Sequence, residues 1–140
     1  MADLTYLKKL TKELNNEIRN NIESGPVFGM LKSYFDDFET LIVIIRVSDK
    51  KVLYMNKATC NKIISIGENP KHFINSPCIG LSMKNCPLKD ACPIEECGKT
   101  KKVILRTNVK SPLSENRYHV VCLPLRYNGV SAVIEMWVDA

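Results

Sequence analysis

Four of the chain's six cysteines fall within 20 residues: Cys78, Cys86, Cys92 and Cys97, in the stretch NSPCIGLSMKNCPLKDACPIEECGKTKK that spans residues 75–102. Seven, five and four residues separate them in turn. Thiols set this closely can form a metal site, a pair of disulfides or a redox dithiol system. Four thiolates satisfy either a tetrahedral zinc ion or a cubane iron–sulfur cluster. Either site would be net negative, and Lys84, Lys89, Lys99, Lys101 and Lys102 lie around it in the sequence to offset that charge. Structural zinc favours tight knuckles, and only the step from Cys92 to Cys97 is that short. If Pro93 to Glu96 forms one helical turn ended by Gly98, Cys92 sits where the helix dipole favours negative charge. Cys92 and Cys97 then lie about 7 Å apart along the axis at ~1.5 Å per residue. Zinc asks for sulfurs within about 4 Å of one another, given Zn–S near 2.3 Å. A cluster is wider, so iron–sulfur fits the span better than zinc. Metal-free reduced thiols or adventitious disulfides are the plainer alternative. A thiol redox enzyme is disfavoured, because no Cys-x-x-Cys dithiol is present.

The other residue types offer less. Gly98-Lys99-Thr100 resembles the end of a phosphate-binding loop, but Pro93 stands where its first glycine is required. His72 and His119 are the only histidines, and no Cys-x-x-Cys-His for covalent haem occurs. No nucleophile–base–acid set is visible, so the chain is not read as an enzyme. Cys60, in an expected helix, and Cys122, in an expected strand, read as small buried hydrophobes.

A chain of 140 residues makes one domain with room for a core. Net charge is +5 with the lysines spread along the chain, which gives no basis for nucleic-acid binding. No basic segment leading into a long apolar run opens the chain, and the longest apolar run, Leu41 to Ile45, is too short to span a bilayer. A cytoplasmic protein is expected, a setting in which disulfides are disfavoured and clustered cysteines point to metal or redox chemistry.

The elements that must position the cysteines follow from periodicity. Leu4, Leu7, Leu10, Leu14, Ile18 and Ile22 recur at steps of three and four behind a capping Asp3. That stripe either packs on its own domain or forms the seam of a homodimer. Ser24-Gly25-Pro26 breaks the helix, and Val27, Phe28, Leu31, Tyr34, Phe35 and Phe38 make a broad aromatic face on a second one. Residues 1–39 therefore read as an N-terminal helical extension and residues 40–140 as the main domain. Leu41 to Val47 and Val52 to Met55 read as a hairpin of strands about Ser48-Asp49-Lys50. Asn56 caps a helix over Lys57 to Ser65, with Ala58, Ile63 and Ile64 inward and Gly67 as its stop. After the cysteine-rich insert come strands at Val103 to Val109, Tyr118 to Leu125 and Val130 to Val138. The last two are joined through Asn128-Gly129. Pro124 marks a bulge or an unpaired position, and His119, mid-strand, is expected to be half exposed.

Two strands, then helical material, then three strands resemble a PAS domain over roughly Thr40 to Ala140. LIVIIRVSDKKVLYMNKATCNKII resembles the family's opening hairpin, terminal Asn and following helix. RYHVVCLPLRYNGVSAVIEMWVDA resembles its last hairpin. The resemblance implies an α+β fold: a five-stranded antiparallel sheet, helices over one face, and a ligand or cofactor pocket between them. It also implies a sensory role and, through the Leu4 to Ile22 helix, dimerisation. Cys78, Cys86-Pro87, Cys92-Pro93 and Gly98-Lys99 are similar to the cysteine-rich stretch that some bacterial and archaeal PAS domains carry before their third strand, a type that looks like iron–sulfur or metal-binding sensors. His72 lies where some family members place an axial haem ligand, though haem is the least supported cofactor. Three readings stand: a sensory module with a four-thiolate centre, a zinc-stabilised dimerisation module, and a thiol redox enzyme.

Overall fold

The computed structural model describes Thr5, Lys8, Lys9, Lys12 and residues 39–78, 92–127 and 129–140. Thr5, Lys8, Lys9 and Lys12 are helical and exposed, the three lysines on the polar face expected of the first helix. The apolar stripe, the aromatic face before Glu39 and Cys86 lie outside the described residues.

Five strands form one antiparallel sheet: β1 (Leu41–Arg46), β2 (Val52–Met55), β3 (Ile104–Lys110), β4 (Arg117–Tyr127) and β5 (Val130–Asp139), in the order β2-β1-β5-β4-β3. Leu41–Arg46 pairs directly with β5, from Leu41 opposite Trp137 to Arg46 opposite Ala132. Among the described residues from 39 onward, two helices accompany the strands, α1 (Lys57–Ser65) and α2 (Pro93–Thr100), with a short 3-10 turn at Pro70–His72.

The β1–β2 turn is held by Asp49. Its carboxylate takes Arg46 Nη2 at 2.7 Å and the Lys51 amide at 3.1 Å, while Lys50 adopts φ 58. Asn56 caps α1, with its side-chain oxygen accepting the Thr59 amide at 3.1 Å. The inward face of α1 differs from the periodic reading. Thr59 and Ile63 are buried, whereas Ile64 is 58% exposed and Ala58 half-buried. Thr59 goes inside because its hydroxyl has a partner there, the main chain of Ile42.

The sequence places a stop at Gly98, but α2 runs through it to Thr100 and ends at Lys101 in the left-handed region, φ 57, whose N–H bonds Cys97 O at 2.9 Å. Gly98 serves close packing instead. A Cβ there would stand 2.7 Å from Val47 Cγ1 and 2.9 Å from Cγ2, so the missing side chain lets α2 settle onto the end of β1.

Pro124 pairs with Val133 in an unbroken β4–β5 register, and β3 pairs with β4 only as far as Ile104 opposite Cys122. It is thus an unpaired position on its β3 side and not a bulge. The bulge lies in β3, between Arg106 and Val109, with Asn108 at φ 55. His119 is buried there, contrary to the half-exposed expectation, because its Nδ1 accepts the Asn108 amide of the bulge at 3.2 Å.

Both faces of the sheet are apolar. One core joins Val43, Ile45, Val120, Cys122 and Val133 to Ile63 of α1 and Ile94 and Cys97 of α2. The other comprises Ile42, Ile44, Val103, Val121, Leu123, Ala132 and Ile134. The burial of β4 is therefore continuous from Tyr118 to Pro124 instead of alternating.

Candidate thiol site

The cysteine segment enters and leaves the core at fixed points. Pro77 bridges to Lys51 beside β2, and Cys78 follows, buried in the helix-side core. Cys92 is the N-cap of α2 and is partly buried against the same core. It makes no side-chain capping bond; Pro93 at the first helical position and Glu95 and Glu96 in the first turn start the helix instead. Cys97, one turn further on, is fully buried and faces the sheet. Three of the four expected ligands thus share one core, and the fourth, Cys86, lies outside the described residues. Among the described residues no three His, Cys, Asp or Glu side chains are grouped closely enough to hold one metal ion.

Polar ties fix α2 over the thiols. Lys50, in the β1–β2 turn, reaches Glu95 Oε1 at 2.5 Å and also interacts with Cys92; both contacts hold its ammonium above the ordinary lysine value, Glu95 the more strongly. Arg106 of β3 pairs with Glu96. At the far end Lys101 Nζ donates to Ser131 Oγ at 2.9 Å.

Burial pushes the Cys97 thiol up to about 12, with Glu96 adding to the rise and Lys101 opposing it. The metal-free thiol is therefore protonated at neutral pH, and any metal that binds it must displace a proton. Thiol donors in apolar surroundings suit zinc and iron–sulfur clusters alike.

Two core residues lie beside these thiols without having been singled out as site residues. Cys122 is fully buried in β4, and burial raises its thiol well above the ordinary value, with Glu135, Cys97 and Cys92 adding to the rise. Glu135 lies opposite it in β5. Its carboxyl accepts Trp137 Nε1 at 2.6 Å, and burial pushes its pKa up to about 7 against that bond. The sequence carries the signal for Glu135: it alternates in step with Val133 and Trp137, so a strand here must point all three to one face. His72 is exposed in the 3-10 turn and away from the core.

No family model matches the chain, and no curated protein matches it. Solved structures do. A sensory box sensor histidine kinase from Vibrio cholerae is 12% identical, with a TM-score of 0.57, covering 82% of this chain and 93% of that one. The PAS domain of BvgS from Bordetella pertussis is 12% identical, TM-score 0.54, covering 83% and 88%. The PAS domain of nitrogen regulation protein NR(II) from Vibrio parahaemolyticus is 10% identical, TM-score 0.53, covering 79% and 98%. The chain has the PAS fold. No helix among the described residues is long and apolar enough to cross a membrane.

Proposed function

We propose that the protein is a sensory PAS module in which Cys78, Cys86, Cys92 and Cys97 hold a metal centre responsive to redox state or oxygen. The observation that carries this reading is that Cys78, Cys92 and Cys97 border one core although 13 residues separate the first two; these three are not grouped closely enough to hold an ion as they stand, so the reading requires Cys86 and a closing of the segment around the metal. Similarity in fold to a sensory box sensor histidine kinase supports the sensory half. An iron–sulfur cluster is the favoured centre and zinc the alternative; haem is not favoured, with His72 turned to solvent. When bound, the centre supplies a cross-link and, for iron–sulfur, an oxidisable group. Among the chain's own residues, α2 sets the spacing of Cys92 and Cys97, and its ties through Lys50 and Arg106 pass any change at the thiols to β2 and β3. We read no catalytic role into the module.

Protein prepared without oxygen should contain metal and, for iron–sulfur, absorb visible light. Cys92→Ser should abolish metal content, while Cys60→Ser and Cys122→Ser should keep it. A metal-free parent under those conditions overturns the reading. Uniform loss from every substitution would mean that unfolding, not ligation, controls metal content.

The same reading includes signalling through a homodimer built on the helix from Leu4 to Ile22. Removing residues 1–24 should shift the protein from dimer to monomer in sedimentation velocity. An intact chain already monomeric at high concentration would instead assign the stripe to internal packing.

A further inference from the structure

The stretch between Cys78 and Cys92 has both its ends fixed on the β1–β2 hairpin. On the entry side, Pro77 bridges to Lys51, the Val52 amide donates to Ser76 O at 2.8 Å, and the Asn75 amide donates to Val52 O at 2.8 Å. On the exit side, Lys50 crosses from the hairpin turn to the start of α2. Lys50 holds φ 58, and its amide donates to Arg46 O at 2.9 Å. Glycine would suit that backbone better; lysine there keeps a side chain that reaches α2. Its ammonium meets Glu95 Oε1 at 2.5 Å. Glu95 is the third residue of α2, and Cys92 is its N-cap. Side chains at those two positions stand next to each other at a helix start, as in a capping box. The ammonium is thereby set beside the Cys92 sulfur as well, and it interacts with it. Lys50 is also the more buried of the ion pair, its side chain 23% exposed against 66% for Glu95. An ammonium has three protons to donate, so one carboxylate does not exhaust it. A sulfur ligated as thiolate is an ionised acceptor, for which charged donors make their strongest bonds.

We infer that Lys50 is a positioning residue of the thiol centre: its ammonium, shared with Glu95 in the metal-free protein, turns to the Cys92 sulfur when that sulfur ligates a thiophilic divalent cation, and so tightens binding of the cation. This role rests on the four-thiolate reading. It adds that Glu95 competes with the sulfur for the ammonium and does not brace the site. Partners one bond outside the ligands orient them and tune the metal in this way.

Zinc is the probe, titrated into the reduced full chain in competition with a chromophoric chelator. Lys50→Met should weaken zinc binding about tenfold or more, the worth of a hydrogen bond to a charged group. Lys50→Arg keeps a charged donor and should recover most of the loss. Glu95→Gln separates the two roles of the pair. With Lys50 serving the sulfur, its release from Glu95 leaves zinc affinity at the parent level or above it. A pair that only braces α2 would make Glu95→Gln as harmful as Lys50→Met, which overturns the inference. Equal affinity of Lys50→Met and parent overturns it too. In the parent, the Lys50 ammonium nitrogen resonance should move when zinc is added, and a resonance that stays in place counts against the role. That readout needs no variant, so it decides the matter even if a substitution fails to fold. A parent that binds no zinc ends the four-thiolate reading and this role together, whereas tight binding that ignores Lys50 ends this role alone.

Discussion

Asn56→Ala should cost about 3–5 kcal/mol, the range for breaking a buried hydrogen-bonded network. Asn56 is fully buried, and its side chain does three things at once. Its oxygen accepts the Thr59 amide at 3.1 Å, which caps α1, and the Ile42 amide at 3.0 Å, which ties the cap to β1. Its nitrogen donates to Thr40 O at 2.8 Å. Loss of an exposed cap costs about 1 kcal/mol. The excess expected here comes from the buried Ile42 and Thr59 groups and the part-buried Thr40 carbonyl, which lose a partner. The Thr59 hydroxyl lies 2.7 Å from the Asn56 oxygen and 3.0 Å from the Ile42 amide, so it covers part of the deficit. Asn56→Asp keeps the acceptor oxygen but turns a second, buried carboxylate oxygen against Thr40 O, so it should also destabilise the protein at neutral pH and less so at low pH, where that oxygen carries a proton. Urea unfolding of the three proteins measures this. A loss near 1 kcal/mol for Ala would show that Asn56 is a cap and nothing more.

Glu135→Gln should make the protein more stable at pH 8 and leave it nearly unchanged at pH 4.5. The folded-state pKa is about 7, above the ordinary 4.5, so the folded protein holds the proton more tightly than the unfolded chain does. The stability tied to that proton is fully present below pH 4.5 and is lost as pH rises through about 7. At ~1.4 kcal/mol per pH unit across that interval, the loss is about 3 kcal/mol. The Gln amide never ionises, and its oxygen can still accept Trp137 Nε1. Unfolding curves of parent and variant at pH 5, 6, 7 and 8 should diverge steadily. Parallel curves would mean that Glu135 ionises without penalty, through a donor or water at its second oxygen.

Local chemistry made much of the fold legible. β2 and α1 have the expected bounds, since Ser48-Asp49-Lys50 fixes the turn before them and Asn56 and Gly67 punctuate the helix. The final hairpin follows from Asn128-Gly129, with Gly129 at φ 80 and Tyr127 opposite Val130. Gly98 misled because a glycine late in a helix reads locally as a stop, while its reason here is the Val47 side chain 51 residues away in sequence. His119 misled for the same reason: only the bulge in β3 supplies the amide that makes its burial tolerable.

By itself the sequence determined the clustered cysteines and the type and order of the elements around them, because caps, turns and side-chain alternation act over a few residues. Tertiary structure alone decided which residues meet, including two that were not singled out. Cys97 and Cys122 are 25 residues apart, and Glu135 lies 13 beyond Cys122. They come together because β4 pairs with β5 in a register that sets Cys122 opposite Glu135, and α2 lays Cys97 over that sheet. Register and helix docking are fixed by burial of whole faces, a sum over distant residues that no short stretch contains.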